Sequence, residues 1–421
     1  MATPAPSPAL ARPDVVILNE SARIAGGADR VACETAIGLA GRGYRVRFLC
    51  ADADVDPSLL AAGIEVHPLP LVSVYEIPGR GEQLRALTGN PDAPPLVTEA
   101  LVGLEPERTV VHVHNAGLRL TWTSIEACQR WGAPTVFTTH DYGAACPTSN
   151  FFDYPAERVC PRRPLGAACL RYECTGHGHR ARLPRILMAT AARRARVYRR
   201  HAAAIHPSPT ARRIMEPFLR DVPRHEIVRN PQELGSGAAI PSRSETFLFV
   251  GRLVPEKDPR LFLLAAREAG VAAKVVGDGP LRKEMEREHP EADFTGWLSP
   301  HEVEAAFAAA RVHVFPSRWR ETMGLGVLDA ASRGVPSIAS EIVGAADWIR
   351  EHDAGIVIPA GDVAALAAAM VALKDDAQVD ALGGRAHEAL WADPPTLDRH
   401  LDRLETLYAD VVAGGIVTRG A

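Results

Sequence analysis

The feature that most constrains this chain is a repeated order: a short apolar, β-branched run, a turn carrying glycine or polar residues, then a helix-forming stretch. Residues 15–18 (Val-Val-Ile-Leu) are the first such run. A Gly-bearing turn and a helical pattern over 29–39 follow, closed by Gly41 and Gly43. Residues 44–49 give the next strand, and 109–114 and 135–139 two more. A second series opens at 247–250 and continues through 273–276, 312–315 and 337–338. Strands buried on both faces read as continuous apolar runs, so this alternation predicts parallel sheets covered by helices on both sides. The stretch 230–244, rich in Gly, Pro and Ser, separates the two series. At 421 residues the chain exceeds one ordinary domain. The expected plan is a disordered tail (1–13), an α/β domain (14–236), a second α/β domain (237–395), and a last helix and tail (396–421) placed to pack back on the first domain.

Composition excludes several classes. A net charge of −4 gives no global attraction to nucleic acid. No apolar run approaches the ~18–20 residues of a membrane helix. Residues 1–13 are rich in Ala and Pro but lack a basic segment before an apolar core, so they read as a tail and not a signal peptide. Seven cysteines, an odd number over a long chain, do not suggest a secreted disulfide framework. A cytoplasmic protein is expected.

The segment Arg320-Glu321-Thr322-Met323-Gly324-Leu325-Gly326-Val327-Leu328-Asp329 follows the strand 312–315 and enters a helix. A glycine-bearing loop at a helix start offers free backbone N–H groups and the positive end of the helix dipole, which suits a nucleotide diphosphate. An acidic first turn with no ligand is the plainer reading. Gly251-Arg252-Leu253-Val254-Pro255-Glu256-Lys257 follows the strand 247–250, where open α/β sheets bind ligands. Arg252 offers a bidentate fork and Lys257 a point charge, a pair able to neutralise a diphosphate, or else two solvated surface charges. Val276-Gly277-Asp278-Gly279-Pro280 half-matches a dinucleotide fingerprint but has Arg282 at the third glycine position. The first strand leads to Gly26-Gly27 with no G-x-G-x-x-G. A nicotinamide dehydrogenase is therefore disfavoured.

Taken together, Gly26 to Val31, Thr139-His140-Asp141, Pro207-Ser208, Val228 to Pro231, Gly251 to Lys257, Gly277 to Pro280, Gly296 and the Glu321 to Asp329 segment resemble, in order and spacing, the retaining family-four glycosyltransferases. The resemblance implies the GT-B fold, two Rossmann-like domains facing a central cleft. It also implies metal-independent catalysis and a product that keeps the donor's anomeric configuration. By position, Gly27 would let the first loop approach the donor phosphates, and Arg252 and Lys257 would bind the diphosphate. Glu321 would contact the donor sugar, while Met323, Gly324 and Leu325 would offer backbone N–H groups. Asp329 would take the ribose hydroxyls, Gly296, Trp297 and Leu298 would flank the base, and His140 would sit beside the transferred sugar. Asp329 stands where the family has Glu, and Met323 where it has an aromatic residue. The implied function is transfer of a sugar from a nucleotide-diphosphate donor, a UDP-hexose or UDP-GlcNAc, to a glycan, lipid-linked or natural-product acceptor. A sugar-nucleotide epimerase and a non-catalytic sugar-nucleotide-binding subunit are the alternatives.

His112 and His114 stand at strand period two and share a face, with His114 nearer the strand's carboxyl end and a candidate for the acceptor side. Cys146, Cys160, Cys169 and Cys174 lie in the loop 146–179, with His177 and His179 close behind. Their separations of thirteen, eight and four residues lack C-x-x-C pairs. A structural zinc site, disulfides or redox thiols, and unligated packing each remain open. The stretch 180–200 carries eight arginines interleaved with Leu183, Ile186, Leu187 and Val197. It fits a basic helix that touches an anionic membrane or a charged acceptor, or a solvated face over an apolar stripe.

Overall fold

The computed structural model describes residues 12–414 apart from 25, 177 and 236. Most of the tail expected over 1–13, the end of the chain beyond 414, and His177 thus lie outside the described residues. Two parallel sheets dominate. The first joins β1 (Asp14–Leu18), β2 (Val46–Cys50), β3 (Glu65–Pro68), β4 (Thr109–Val113) and β5 (Thr135–Thr138). After the short antiparallel ribbon β6 (Phe152–Asp153) and β7 (Arg158–Val159), it is completed by β8 (Ala203–His206) and β9 (His225–Ile227). Their spatial order is β3-β2-β1-β4-β5-β8-β9. The second sheet comprises β10 (Thr246–Val250), β11 (Ala272–Val276), β12 (Asp293–Gly296), β13 (Val312–Phe315), β14 (Ser337–Ser340) and β15 (Gly355–Ile358). Its order is β12-β11-β10-β13-β14-β15.

In both sheets the chain starts in the middle, winds outward to one edge, and returns to wind toward the other. The strand order therefore reverses between β1 and β4 and again between β10 and β13. Adjacent loops leave these strands in opposite directions, which opens a crevice at their carboxyl ends, where ligands bind in open α/β sheets. The fold is two Rossmann-like units facing a cleft.

β1 shows how the layers are held. Val16 and Leu18 join a core with Val97, Leu101, Ile125 and Phe137 on one side of the sheet. Val15 and Ile17 join another with Ala32, Ala36 and Leu39 of the helix Gly27–Gly41 on the other. Successive side chains point to opposite faces, and a strand apolar from Val15 to Leu18 must be covered twice.

Part of that second cover comes from the far end of the chain. Thr396 caps the helix Leu397–Ala413, whose Leu401, Leu404, Leu407 and Tyr408 enter the first sheet's core. Burying such side chains contributes roughly 1.5–3 kcal/mol each. Gly38 lets the helix come close: a Cβ there would lie 2.6 Å from a methyl of Leu401. Arg42 reinforces the contact through Asp398 (3.0 Å), Asp402 (2.6 Å) and Glu405 (3.2 Å). The chain thus crosses between the two units twice, near 230 and again near 395. The crossings are tied together by Gln232 N–H donating to the Pro395 carbonyl (2.9 Å) and Arg229 donating to the Asp393 carbonyl (3.0 Å).

Candidate active site

The loop after β10 carries Arg252 and Lys257, and the loop after β13 carries Glu321. Because β10 and β13 are neighbours, the two loops meet at the sheet's switch point. Lys257 pairs with Glu321, and both side chains are largely buried. Ser317 donates to Glu321 (3.4 Å), and the ammonium lies 5.6 Å from the rings of both Phe315 and Trp319. Arg252, at the head of the same loop, is exposed and makes no ion pair among the described residues.

Glycine sets the path of this cation loop. Leu253 N–H donates to the Asp278 carbonyl at 2.9 Å, so the turn after β11 runs directly alongside. At Gly277 (φ +134°) a Cβ would lie 2.0 Å from the Gly251 carbonyl oxygen, a position no side chain can take. The half-fingerprint Gly277-Asp278-Gly279 therefore packs loop on loop. Gly296 ends β12 against Arg282, Leu298 is half-buried, and Trp297 is 80% exposed.

Gly324, at φ +93°, precedes the helix Leu325–Ser332, whose first N–H groups have no intrahelical acceptor. One turn in, Asp329 accepts from Gln232, which also donates to the Leu325 carbonyl (3.3 Å). Burial raises the Asp329 carboxyl to about 6 despite that hydrogen bond.

The facing wall belongs to the first sheet. His114, at the end of β4, is buried, and its Nδ1 lies 2.9 Å from His140 Nε2, just after β5. Burial lowers His140 to about 3, with a smaller push from His400, and burial likewise takes His114 well below its ordinary value. Both rings are therefore neutral near pH 7. His112 does share a face with His114, their rings 4.0 Å apart. It faces the core, however, and bonds the Tyr408 hydroxyl (2.6 Å) and Thr138 (2.7 Å). His114 and His140 line a cavity of about 330 Å3 with Ala28, Trp122, Asp141 and Tyr198. Gly27, beside Ala28, is exposed with open space over it. The arginine-rich stretch closes the same cavity: Arg185, Met188 and Ala192 of the helix His179–Arg194 line it. That helix does not run to 200. It ends near Arg196, which takes left-handed φ (+54°), before a separate turn at Val197–Arg199.

Contacts across the cleft join the walls. Thr322 donates to the His140 carbonyl (3.3 Å), and Ser208 donates to the Thr322 carbonyl (2.6 Å) while capping the helix Pro209–Met215. Gly344 lies so close to this loop that a Cβ would sit 2.4 Å from the Thr322 oxygen. Behind it a second cavity of about 610 Å3 opens between the two units, bordered by Ser208, Arg229, Met323 and Trp348. Glu20, just after β1, accepts from the N–H groups of Gly117 and Arg119 (2.9 Å each) and so fixes the loop that borders the His114 cavity. Sequence reading placed Ser208 and Thr322 within the resembling motifs but assigned neither a role, nor any to Gly344, Gln232 or Glu20. The serine before a proline also carried a local signal as a helix cap.

Two sheets of this topology, with a cationic loop at the switch point of one and a cavity at the carboxyl ends of the other, have the GT-B architecture. Residues 244–376 match the model of glycosyl transferases group 1, and residues 26–232 match that of the glycosyl transferase 4-like domain. The chain belongs to these GT-B glycosyltransferases. It is 31% identical over 173 residues to O-antigen chain mannosyltransferase C of Escherichia coli, covering 39% of this chain and 47% of that protein. It is 34% identical over 162 residues to 2-deoxystreptamine N-acetyl-D-glucosaminyltransferase of Streptomyces fradiae, covering 35% and 37%. These matches span less than half the length of each relative. Among solved structures, a sucrose-phosphate synthase from Thermosynechococcus elongatus superposes with a TM-score of 0.70 at 17% identity, covering 96% of this chain and all of that one. Anabaena HepE in complex with UDP gives 0.62 at 15%, covering 94% and 100%. Among the described residues no helix is long and apolar enough to cross a membrane.

Proposed function

We propose that this chain transfers a sugar, with retention, from a nucleotide-diphosphate donor to a hydroxyl of an acceptor held in the His114–His140 cavity. The observation that carries the reading is the Lys257–Glu321 pair at the switch point, set across the Thr322–His140 contact from that cavity. A donor diphosphate would draw Lys257 and the free Arg252 to itself and so release Glu321 to accept from sugar hydroxyls. The bond from the sugar's anomeric carbon to the phosphate oxygen breaks on the face where the acceptor oxygen attaches. The departing phosphate oxygen takes the acceptor's proton. The chain's part is to hold both partners and to stabilise charge on the leaving group. His140, neutral and oriented by His114, supplies a hydrogen bond beside the sugar and carries no charge there. Asp329 holds the ribose, and the segment Gly296 to Leu298 borders the base. No metal takes part in the chemistry.

At about 330 Å3 the cavity is near the lower end of ligand-site volumes, about 300–1,000 Å3, and so fits the terminal unit of a glycan, lipid-linked or natural-product acceptor. We place the enzyme in the cytoplasm, with Arg185 and its neighbours available to an anionic acceptor group at a membrane face. UDP-hexoses and UDP-GlcNAc are the first donors to try. GDP-mannose belongs in the same screen, because three of the matched relatives are named GDP-mannose-dependent. A true donor at 100 times its Kd stabilises the fold by about 2.7 kcal/mol. With that donor, the anomeric coupling in the product's NMR spectrum should match the donor's, and excess chelator added during assay should leave the rate unchanged. An inverted product would overturn the mechanism, and rearrangement of the donor sugar without acceptor would mark an epimerase.

A further inference from the structure

The four cysteines belong to a segment that backbone hydrogen bonding alone explains poorly. Between β5 and the helix His179–Arg194 the chain forms only the two-residue strands β6 and β7 and the single-turn helix Ala167–Arg171. Within it Ser149, Phe151, Glu157 and Leu165 all take left-handed backbone, at φ from 44° to 63°. Each such non-glycine residue costs roughly 1–2 kcal/mol. Something other than regular structure must hold this path.

Cys146, Cys160, Cys169 and Cys174 come from separate turns of that path yet line one cavity of about 10 Å3, room for about one small atom or ion. No disulfide joins them. Among the described residues no three potential ligands stand close enough to grip an ion as placed, so the thiols surround the space without having closed on it. Two guanidinium groups share the lining. Arg162 is balanced by the buried Asp153 (2.7 Å) and also reaches the Cys160 sulfur (3.7 Å). Arg182 is different. It is 1% exposed and pairs with no carboxylate among the described residues. It donates to the carbonyl and the sulfur (3.4 Å) of Cys169, and its Nε and Nη1 find no partner. A guanidinium buried without a counter-charge costs several kcal/mol, and among the described residues the groups lining this cavity that can supply negative charge are the thiols.

We propose that the four thiols close on one zinc ion as thiolates. Four protons leave to solvent, four zinc–sulfur bonds replace the ion's water ligands, and the resulting net negative charge is what Arg182 faces. The closed site stabilises the acceptor wall. Pro147 lines both this cavity and the His114 cavity, while Tyr154 reaches Glu256 (3.4 Å) and Arg318 reaches the Glu157 carbonyl (3.4 Å) on the second unit.

The test is elemental analysis of the full chain purified without chelators, with native thiol titration and, after exchange into cobalt, the absorption spectrum. We expect about one zinc per chain, the four loop thiols unreactive until the ion is removed, and a tetrahedral thiolate–cobalt spectrum. Cys169→Ser and Arg182→Met should each lower zinc content and the thermal midpoint. Zinc-free folded protein whose loop thiols titrate freely would overturn the proposal, as would a disulfide found by non-reducing mass spectrometry. These readouts on the wild-type chain need neither donor nor acceptor, so they stand or fall apart from the transferase reading.

Discussion

At Lys257 the ammonium is already desolvated by Phe315, Trp319 and the loop around it, so its charge acts in a medium where it is worth more than in water. If Lys257 holds the donor diphosphate as proposed, removing it takes away a fixed stabiliser of the leaving phosphate. Lys257→Ala should cut kcat/KM at least ~100-fold, and Arg252→Ala should act in the same direction. Activity within a few fold of wild type in both variants would remove the donor-site assignment. Gly277→Ala tests the same loop from outside: its Cβ would meet the Gly251 oxygen at 2.0 Å, so the cation loop has to move. Overpacking of this kind costs about 1–3 kcal/mol, and turnover should fall although no charged group has been touched. A variant with wild-type kinetics and thermal midpoint would mean that the two loops are not in contact. These residues were legible in the sequence as separate motifs. Their meeting was implied only by the family resemblance; no local motif carries it, because it follows from β10 lying beside β13.

Among elements, the strands found from sequence include continuous apolar runs such as Val-Val-Ile-Leu in β1 and Phe-Leu-Phe-Val in β10, whereas β15 was missed although its Gly-Ile-Val-Ile is also apolar. β8, Ala-Ala-Ile-His just after the arginine-rich stretch 180–200, was not read as a strand. β3, β9 and β12 lie at or near sheet edges, are half-exposed, and mix charged residues with apolar ones, so burial imposes no apolar pattern on them. The helix Leu397–Ala413 was read as a helix returning to the first domain, but the side chains it meets there were not legible. It brings the Tyr408 hydroxyl 2.6 Å from His112 Nδ1, deep in the first sheet's core. Tyr408→Phe keeps the ring and removes the hydroxyl, leaving that nitrogen buried and unpaired. A loss of about 1–3 kcal/mol is expected, read as a fall in the chemical-denaturation midpoint. An unchanged midpoint would mean that His112 finds another partner.

Over the whole molecule, histidine burial sets the response to acid. Burial takes His140, His201, His206 and His313 to about 3 and His400 to about 4. In the unfolded chain these groups protonate near 6.5. Between about pH 6.5 and 4 the unfolded state therefore binds protons that the folded state refuses. Stability is complete above about 6.5 and falls as pH drops, by about 1.4 kcal/mol per pH unit for each histidine. Equilibrium denaturation at pH 7.5, 6 and 5 should show this loss, and a flat profile would contradict the burial of these rings. Asp329 adds a functional counterpart, since its carboxyl titrates near 6. If it accepts from the ribose, donor KM should rise as pH falls through that value.

The return of the last helix to the first sheet has a consequence for how the molecule is made. A ribosome releases residues 14–227, every strand of the first sheet, long before it reaches Leu401, Leu404, Leu407 and Tyr408. Until then one flank of β1 and of the helix Gly27–Gly41 is open to solvent, while the second sheet has all its strands by Ile358. The domain synthesised first is thus the one finished last. A nascent chain stalled or cleaved before residue 397 would display an apolar surface of the kind that chaperones hold and proteases remove.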